Sequence, residues 1–319
     1  MVKPRLLSML DMSACGDVLD PLRKVCDVVE LPPDPVQLRI RVNDSDIYLA
    51  SLHVRLAADQ ISDATRLKAV ATPSTGLDHL DVATLQNRGI AVLSLRDEKQ
   101  FLGGVTATAE LAWALLLSVM RRLPWAVQSA HAGIWARDEF RGRQLSGKTL
   151  GIIGYGRLGR MVGEFGKAFR MRVLATDVHD KLTVPGVEFM SLKQLLPQAD
   201  VVSLHVHLTD ATRGLLGPDE FALLKPGAVL INTSRGAIVE ESALLAALES
   251  GALGGAGLDV IDGEWRTDLV DHPLIKYAAA HQNLVISPHI GGVTHESQRM
   301  GFSHIVGMIM EFLRERRLI

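Results

Sequence analysis

The stretch Gly151–Asp177, GIIGYGRLGRMVGEFGKAFRMRVLATD, reads as a complete strand, phosphate turn, helix and second strand. Lys148–Ile153 is a short apolar run that ends at a glycine cluster. Gly154, Gly156 and Gly159 then form G-x-G-x-x-G with a helical pattern behind them. The spacing alone is a weak signal, and its context strengthens it. The first glycine allows the tight turn, the second lets the backbone approach a pyrophosphate, and the third lets the helix pack closely on the strand. The free N–H groups of Arg157 and Leu158 at the helix start would meet phosphate oxygens, where the macrodipole favours negative charge. Leu158, Val162 and Phe165 give this helix an apolar face, and the second strand runs into Asp177. That acid lies roughly 20 residues beyond the third glycine, where a dinucleotide fold needs its ribose acceptor. The competing reading is a structural glycine turn with an acid at a strand end.

Composition bounds the rest. With 319 residues, 47% hydrophobic content and 28 glycines, the chain can build two domains with sizeable cores. A formal charge of −2 offers no overall attraction to nucleic acid or anionic membrane, and the basic run Arg314–Arg317 reads as a solvated helix end. Cys15 and Cys26 fit neither a disulfide framework nor a metal spacing, so no metal and a reducing cytoplasm are expected. The N-terminus meets a turn signal at Asp11 before any signal-peptide core develops. Leu111–Met120, the longest apolar stretch, falls short of the roughly 20 residues of a spanning helix and reads as a buried one.

Taken in order, Arg5–Leu10 reads as a strand, Asp17–Cys26 as a helix and Ile47–Leu52 as a strand. Ala69–Thr72 and Ala91–Leu95 are further strands, and Ile61–Arg66 and Val82–Arg88 are helical. The first hundred residues therefore form a small parallel α/β unit without a phosphate fingerprint. Its loop Thr72–Asp81, TPSTGLDHLD, follows a strand and is a candidate substrate loop. Val105–Met120 is a long helix between the two units. Beyond Asp177, strands at Asp200–Leu204, Ala228–Ile231, Ala256–Leu258 and Leu284–Ser287 alternate with helical stretches such as Ser242–Glu249. His295–Leu313 is a last helix that returns to cover the N-terminal unit.

Three strand ends carry possible chemistry. NTSRG places Arg235 after the strand Val229–Ile231, and its planar fork matches a carboxylate. GLDVIDGEW puts Asp259 just past a strand with Glu264 beyond it, and SPHIGG sets His289 between a proline and a glycine pair. Each has a plain alternative: a surface ion pair, an acidic loop, a hydrogen-bonded loop histidine. Their convergence on the sheet edge that also carries the pyrophosphate turn favours a site.

These residues resemble the D-isomer-specific 2-hydroxy acid dehydrogenase family over nearly the whole chain. GIIGYGRLGR is similar to the family's cofactor fingerprint. LHVHLTDATRGLLG through LLKPGAVLINTSRGAIVEESALLAALESGALGGAGLDV is similar to its long signature, and SPHIGG to its histidine motif. The resemblance implies two Rossmann-like or flavodoxin-like doubly wound parallel-sheet α/β domains, with the nucleotide domain (101–289) inserted into a substrate domain (1–100 plus 290–319). It implies a catalytic Arg235, Glu264 and His289, with Asp259 holding the nicotinamide carboxamide. NAD contacts would come from Gly154, Gly156, Arg157, Leu158, Gly159, Asp177, Val206, His207, Thr212, Thr233, Arg235, Asp259, His289, Gly291 and Thr108. The substrate carboxylate would meet Thr75, Gly76, Arg235 and His289. The implied reaction is reversible: hydride passes between nicotinamide and the 2-carbon, Arg235 polarises the keto oxygen, and His289 paired with Glu264 donates the proton. A homodimer joined through the region Leu111–Trp125 is expected.

The departures fall where substrate groups would be read. Trp265 stands where proline usually follows the glutamate, Ser74 where glycine is common, and Ser51, Leu52 and His53 where many relatives carry an arginine. His207 replaces a proline beneath the adenosine. Glu264 argues against formate, for which relatives carry glutamine. Many phosphoglycerate dehydrogenases carry a C-terminal regulatory extension and some short forms do not, so the end at Ile319 lowers the expectation of that activity without removing it. A reductase of glyoxylate, hydroxypyruvate or another small 2-keto acid is the first expectation, and a nucleotide-sensing corepressor-like protein on the same fold is the alternative. Asp177 would accept from both ribose hydroxyls and repel a 2′-phosphate, favouring NAD(H) over NADP(H), with His179 and Lys181 near enough to soften the choice.

Overall fold

The computed structural model describes residues 3–178 and 183–319, which fall into two compact units, Met1–Val105 with Val293–Ile319, and Thr106–Gly292. His179 and Lys181, singled out above for cofactor choice, lie outside the described residues.

The first unit holds five parallel strands: β1 (Arg5–Ser8), β2 (Asp27–Glu30), β3 (Ile47–Leu49), β4 (Ala69–Thr72) and β5 (Ala91–Ser94). Their order, β2-β1-β3-β4-β5, is the flavodoxin-like doubly wound one. Successive residues face opposite sides of the sheet. Leu6, Ile47, Leu49, Ala69 and Ala71 enter one core, and Leu7, Tyr48 and Val70 enter the other. Both faces of β1, β3 and β4 are buried, so these strands read as continuous apolar runs. The helix His295–Glu315 closes the first of these cores with Phe302, Ile305, Val306, Ile309, Phe312 and Leu313.

Two expectations need correction here. The segment Ile61–Arg66 is not helical; a short 3-10 turn spans Ala58–Ile61, and the Arg88 guanidinium takes the Ile61 and Ala64 carbonyls that a helix would have used. The expected helix Asp17–Cys26 is a 3-10 turn, Gly16–Leu19, followed by Asp20–Val25, because Pro21 fits only the first turn of an α-helix. The edge strand β2 was not anticipated; its residues DVVE are short and mostly exposed, without a buried face to announce them.

The second unit has seven parallel strands: β6 (Thr149–Ile153), β7 (Arg172–Thr176), β8 (Val187–Phe189), β9 (Val201–Leu204), β10 (Ala228–Asn232), β11 (Leu253–Leu258) and β12 (Leu284–Ile286). The order β12-β11-β10-β9-β6-β7-β8 reverses direction between β6 and β9. That is the topological switch of a dinucleotide-binding sheet, and ligands bind outside the carboxyl ends of the strands at such a point. Leu150, Ile152, Val173, Ala175, Val201 and Val229 face one core, while Ile153, Leu174, Val202 and Leu204 face the other.

The segment Lys99–Met120 is long and apolar enough to meet a compositional test for a membrane span. It is broken, however, into Lys99–Leu102 and Ala107–Met120. The second helix, 14 residues long, reaches about 21 Å, short of the roughly 30 Å of a hydrocarbon core. It packs on β10, β11 and the helix Arg157–Ala168 through Ala112, Trp113, Leu115, Leu116 and Val119. Being apolar on several faces is therefore explained within the protomer.

Candidate active site

The phosphate turn is built as its glycines require. Gly154 has φ +91°, and a Cβ there would meet the His205 carbonyl oxygen at 2.5 Å and Val206 Cγ1 at 2.7 Å. A Cβ on Gly159 would lie 2.1 Å from the Gly154 oxygen, so this glycine lets the helix seat on the turn. Gly156 is the N-cap of Arg157–Ala168 and has open space where a side chain would stand. As the N-cap, Gly156 has no side chain to place over the first turn of that helix. Burial pushes the Arg157 guanidinium below its ordinary value, which marks a cation held in a partly dry place beside the turn. At the end of β7, Asp177 Oδ2 accepts the Tyr155 N–H at 2.7 Å, which fixes the carboxylate next to the turn.

Across the switch point, Thr233 is buried, and its Oγ1 has no hydrogen-bond partner among the described residues. A buried hydroxyl in that condition is costly unless a ligand meets it. The open cradle at Gly156 and this hydroxyl fit a dinucleotide. Thr212 acts within its own loop. Its Oγ1 donates to the His207 carbonyl at 2.6 Å and accepts the Thr209 N–H at 2.8 Å, closing the loop after β9. His205, one residue beyond β9, is partly buried, and desolvation pushes it down to about 4, so it is neutral; its Nε2 pairs with Ser203 Oγ at 2.8 Å.

Arg235 follows β10 in a turn that Asn232 holds from both sides. Asn232 Oδ1 accepts the Ser234 N–H at 2.9 Å, and its Nδ2 donates to the Arg235 carbonyl at 2.8 Å. Ser234 Oγ ties the turn to the Leu204 carbonyl at 2.8 Å. The Arg235 Nη1 donates to the Ser234 carbonyl, also at 2.8 Å.

Asp259, just past β11, is buried and organises the histidine loop. Its Oδ1 accepts from Ser287 Oγ at 2.6 Å and from the Ile290 N–H at 2.8 Å, and its Oδ2 accepts from the Gly291 N–H at 2.7 Å. Burial raises its pKa, against the pull of those three hydrogen bonds. Thr108, from the helix Ala107–Met120, donates to the Gly291 carbonyl at 3.0 Å. His289 within that loop has left-handed backbone, φ +54°, uncommon outside glycine. Its ring Nδ1 meets Glu264 Oε1 at 2.6 Å, and both side chains are largely buried.

Glu264 reaches this position because its loop is tied down at Asp262. The Asp262 N–H donates to Glu241 Oε1 at 2.8 Å. His272 Nδ1 accepts the Leu274 N–H, so the proton sits on Nε2, which faces the Asp262 carbonyl and Glu241 Oε2, both at 3.2 Å. A Cβ on Gly236 would fall 2.1 Å from the Asp262 nitrogen, so the loop also packs directly on backbone. Glu241 and His272 were not singled out from the sequence. An acid in a helix's first turn and a histidine before proline carry no signal that they share a partner. With Trp265 following it, Glu264 pairs with His289.

In the other unit, Thr75 and Gly76 lie half-buried in the loop after β4, where the Ser74 carbonyl accepts the Leu95 N–H at 3.3 Å. Ser51 Oγ and His53 Nδ1 are 3.2 Å apart beyond β3.

The family pattern described as D-isomer specific 2-hydroxyacid dehydrogenase, NAD binding domain, matches residues 113–291, more than half of the chain. A glyoxylate reductase of Thermococcus litoralis is 37% identical over 286 residues, covering 86% of this chain and 82% of that protein. The chain belongs to the D-isomer-specific 2-hydroxyacid dehydrogenase family. Within this dehydrogenase family, a hydroxypyruvate reductase of Thermotoga maritima is 34% identical over 258 residues, 81% of each chain. Among solved structures, the D-lactate dehydrogenase of Aquifex aeolicus complexed with NAD and lactic acid superposes with a TM-score of 0.85 at 27% identity, covering 99% of this chain and 97% of that one. The larger unit, Thr106–Gly292, is thus the NAD-binding domain of a 2-hydroxyacid dehydrogenase chain.

Proposed function

We propose that this dehydrogenase is an NAD-dependent reductase of small 2-keto acids, glyoxylate and hydroxypyruvate being the first candidates, with Arg235, Glu264 and His289 as its catalytic residues. The observation that carries the reading is the 2.6 Å contact of Glu264 with His289 at the carboxyl edge of the NAD-binding sheet. With Nδ1 engaged, Nε2 is the nitrogen directed to substrate. Bound nicotinamide supplies the hydride. His289 donates its Nε2 proton to the keto oxygen, and Glu264 holds the ring at Nδ1. Arg235 binds the carboxylate and meets the charge that grows on the keto oxygen. Asp259 positions the His289 loop through its three hydrogen bonds. The test is NADH absorbance with a panel of 2-keto acids. Turnover of glyoxylate or hydroxypyruvate is the expected result, and no turnover across the panel would favour the nucleotide-sensing alternative.

NADH should be preferred over NADPH, because Asp177, fixed by the Tyr155 N–H, repels a 2′-phosphate. Asp177→Ala should narrow the preference chiefly by weakening NADH. Equal kcat/KM with both cofactors in the wild type would remove Asp177 from this role.

The protein is further read as a homodimer. Support comes from Leu123, Val127, Ile134 and Trp135, exposed on and after the helix Leu123–His131, and not from the buried helix before it. Light scattering should return twice the chain mass of 34.7 kDa, and the single-chain mass at micromolar concentration would contradict it. Two cysteines, both free and buried, support a cytoplasmic setting.

A further inference from the structure

The turn that delivers Glu264 delivers a second contact to the same imidazole. Arg266 N–H donates to the Gly263 carbonyl at 3.0 Å, closing a four-residue turn whose two central residues are Glu264 and Trp265, with Gly263 at φ +73°. Glu264 takes the edge of the His289 ring at Nδ1. Trp265 takes its face: the ring centroids are 5.7 Å apart and the planes 22° from parallel.

We propose that Trp265 is a positioning residue for His289, and that stacking of its indole on the imidazole aims Nε2 at the reacting oxygen. The inference rests on the reading of His289 as the proton donor. A hydrogen bond at one ring nitrogen sets the direction of that nitrogen but leaves the ring able to rock about the N···O axis. Such rocking sweeps Nε2, on the far side of the ring, through an arc. A flat partner on the ring face removes that motion, because offset aromatic stacking has a preferred separation and tilt. The need is greater here because His289 holds left-handed backbone, so its side chain leaves the chain from an uncommon direction. Trp265 is 44% exposed, so its rigid ring is not there to fill a core. Proton transfer depends steeply on donor placement, and a small displacement of a reacting group is costly.

The experiment compares Trp265→Ala, Trp265→Leu and Trp265→Phe with wild type and His289→Ala, measuring kcat and KM for keto-acid reduction under saturating NADH. Proton NMR of the His289 ring, assigned by its loss in His289→Ala, is recorded on the same proteins. Trp265→Ala and Trp265→Leu should lower kcat roughly tenfold or more and leave KM for NADH unchanged, and the His289 ring protons should lose their ring-current shift. Trp265→Phe, which keeps a flat ring, should recover most of kcat and part of the shift. Leucine keeps apolar bulk, so it tests stacking even if the alanine variant does not fold. Wild-type kcat in Trp265→Leu, or a phenylalanine variant no better than leucine, would overturn the inference. If His289→Ala itself keeps full reduction, the proton-donor reading fails and takes this one with it. If His289→Ala is inactive while the Trp265 variants are unaffected, only the stacking role falls.

Discussion

His289→Ala is expected to lower kcat for keto-acid reduction by roughly 100-fold to 10,000-fold, at every pH, with NADH binding close to wild type. The size follows from the role, since a positioned general acid contributes about that much to a proton transfer. The loss should be the same at every pH because the proton donor itself is gone. Cofactor affinity should survive because the pyrophosphate turn and Asp177 are built from β6, β7 and the intervening helix, without His289. The loop should also persist, because the backbone N–H of His289 still bonds the Asp259 carbonyl at 2.9 Å and Asp259 still holds Ile290 and Gly291. Stopped-flow reduction together with an NADH binding titration separates the two effects. A variant that lost NADH affinity in step with kcat would show a damaged site and not a missing acid.

Arg235→Gln should cost roughly 100-fold to 1,000-fold in kcat and also raise KM for the keto acid, because the guanidinium serves two oxygens. In the proposed function it holds the substrate carboxylate in the ground state and meets the charge on the keto oxygen in the transition state. A loss in kcat alone would mean that the carboxylate is held elsewhere, and a loss in KM alone would remove Arg235 from transition-state stabilisation. Arg235→Lys should recover little, since an ammonium is a point charge without the planar fork. The turn itself should stand in both variants. Asn232 and Ser234 hold it through bonds to backbone that the side chain of Arg235 does not make.

How much of this was legible in the residues differs by kind of signal. The glycine turn and the acid at the end of β7 could be read directly, because the glycine spacing and the strands and helix around it are local patterns in the chain, even though the atoms that crowd Gly154 come from His205 and Val206. Buried strands were legible for the same local reason, since apolar runs such as AVAT and TLGII need no partner to be recognised. The edge strand β2 was not, because DVVE has no buried face. Helix expectation failed at Ile61–Arg66 because Arg88, more than twenty positions away, captures the carbonyls. Within the site, Arg235, Glu264 and His289 were identified by position after strands and by likeness to a family. What joins them was hidden. Asp259 binding the 287–291 loop, Thr108 reaching Gly291, and Glu241 with His272 gripping Asp262 are all long-range contacts between residue types that are common in loops and helix ends. Trp265 was visible as a departure, but its contact with the imidazole follows only from the turn that seats it beside Glu264.

The pairing of Glu264 with His289 is the centre of the account, and kcat/KM for NADH-dependent reduction in wild type, Glu264→Gln and Glu264→Ala tests it most directly. The carboxylate 2.6 Å from Nδ1 holds the ring and leaves Nε2 as the nitrogen that gives up the proton. Glutamine keeps the shape and an oxygen for the same ring nitrogen, so Glu264→Gln should retain part of the rate. Alanine removes the partner, so Glu264→Ala should lose most of kcat/KM while NADH affinity stays close to wild type. Wild-type kcat/KM in Glu264→Ala would mean that Glu264 does not act through His289, and the account of the site would be wrong.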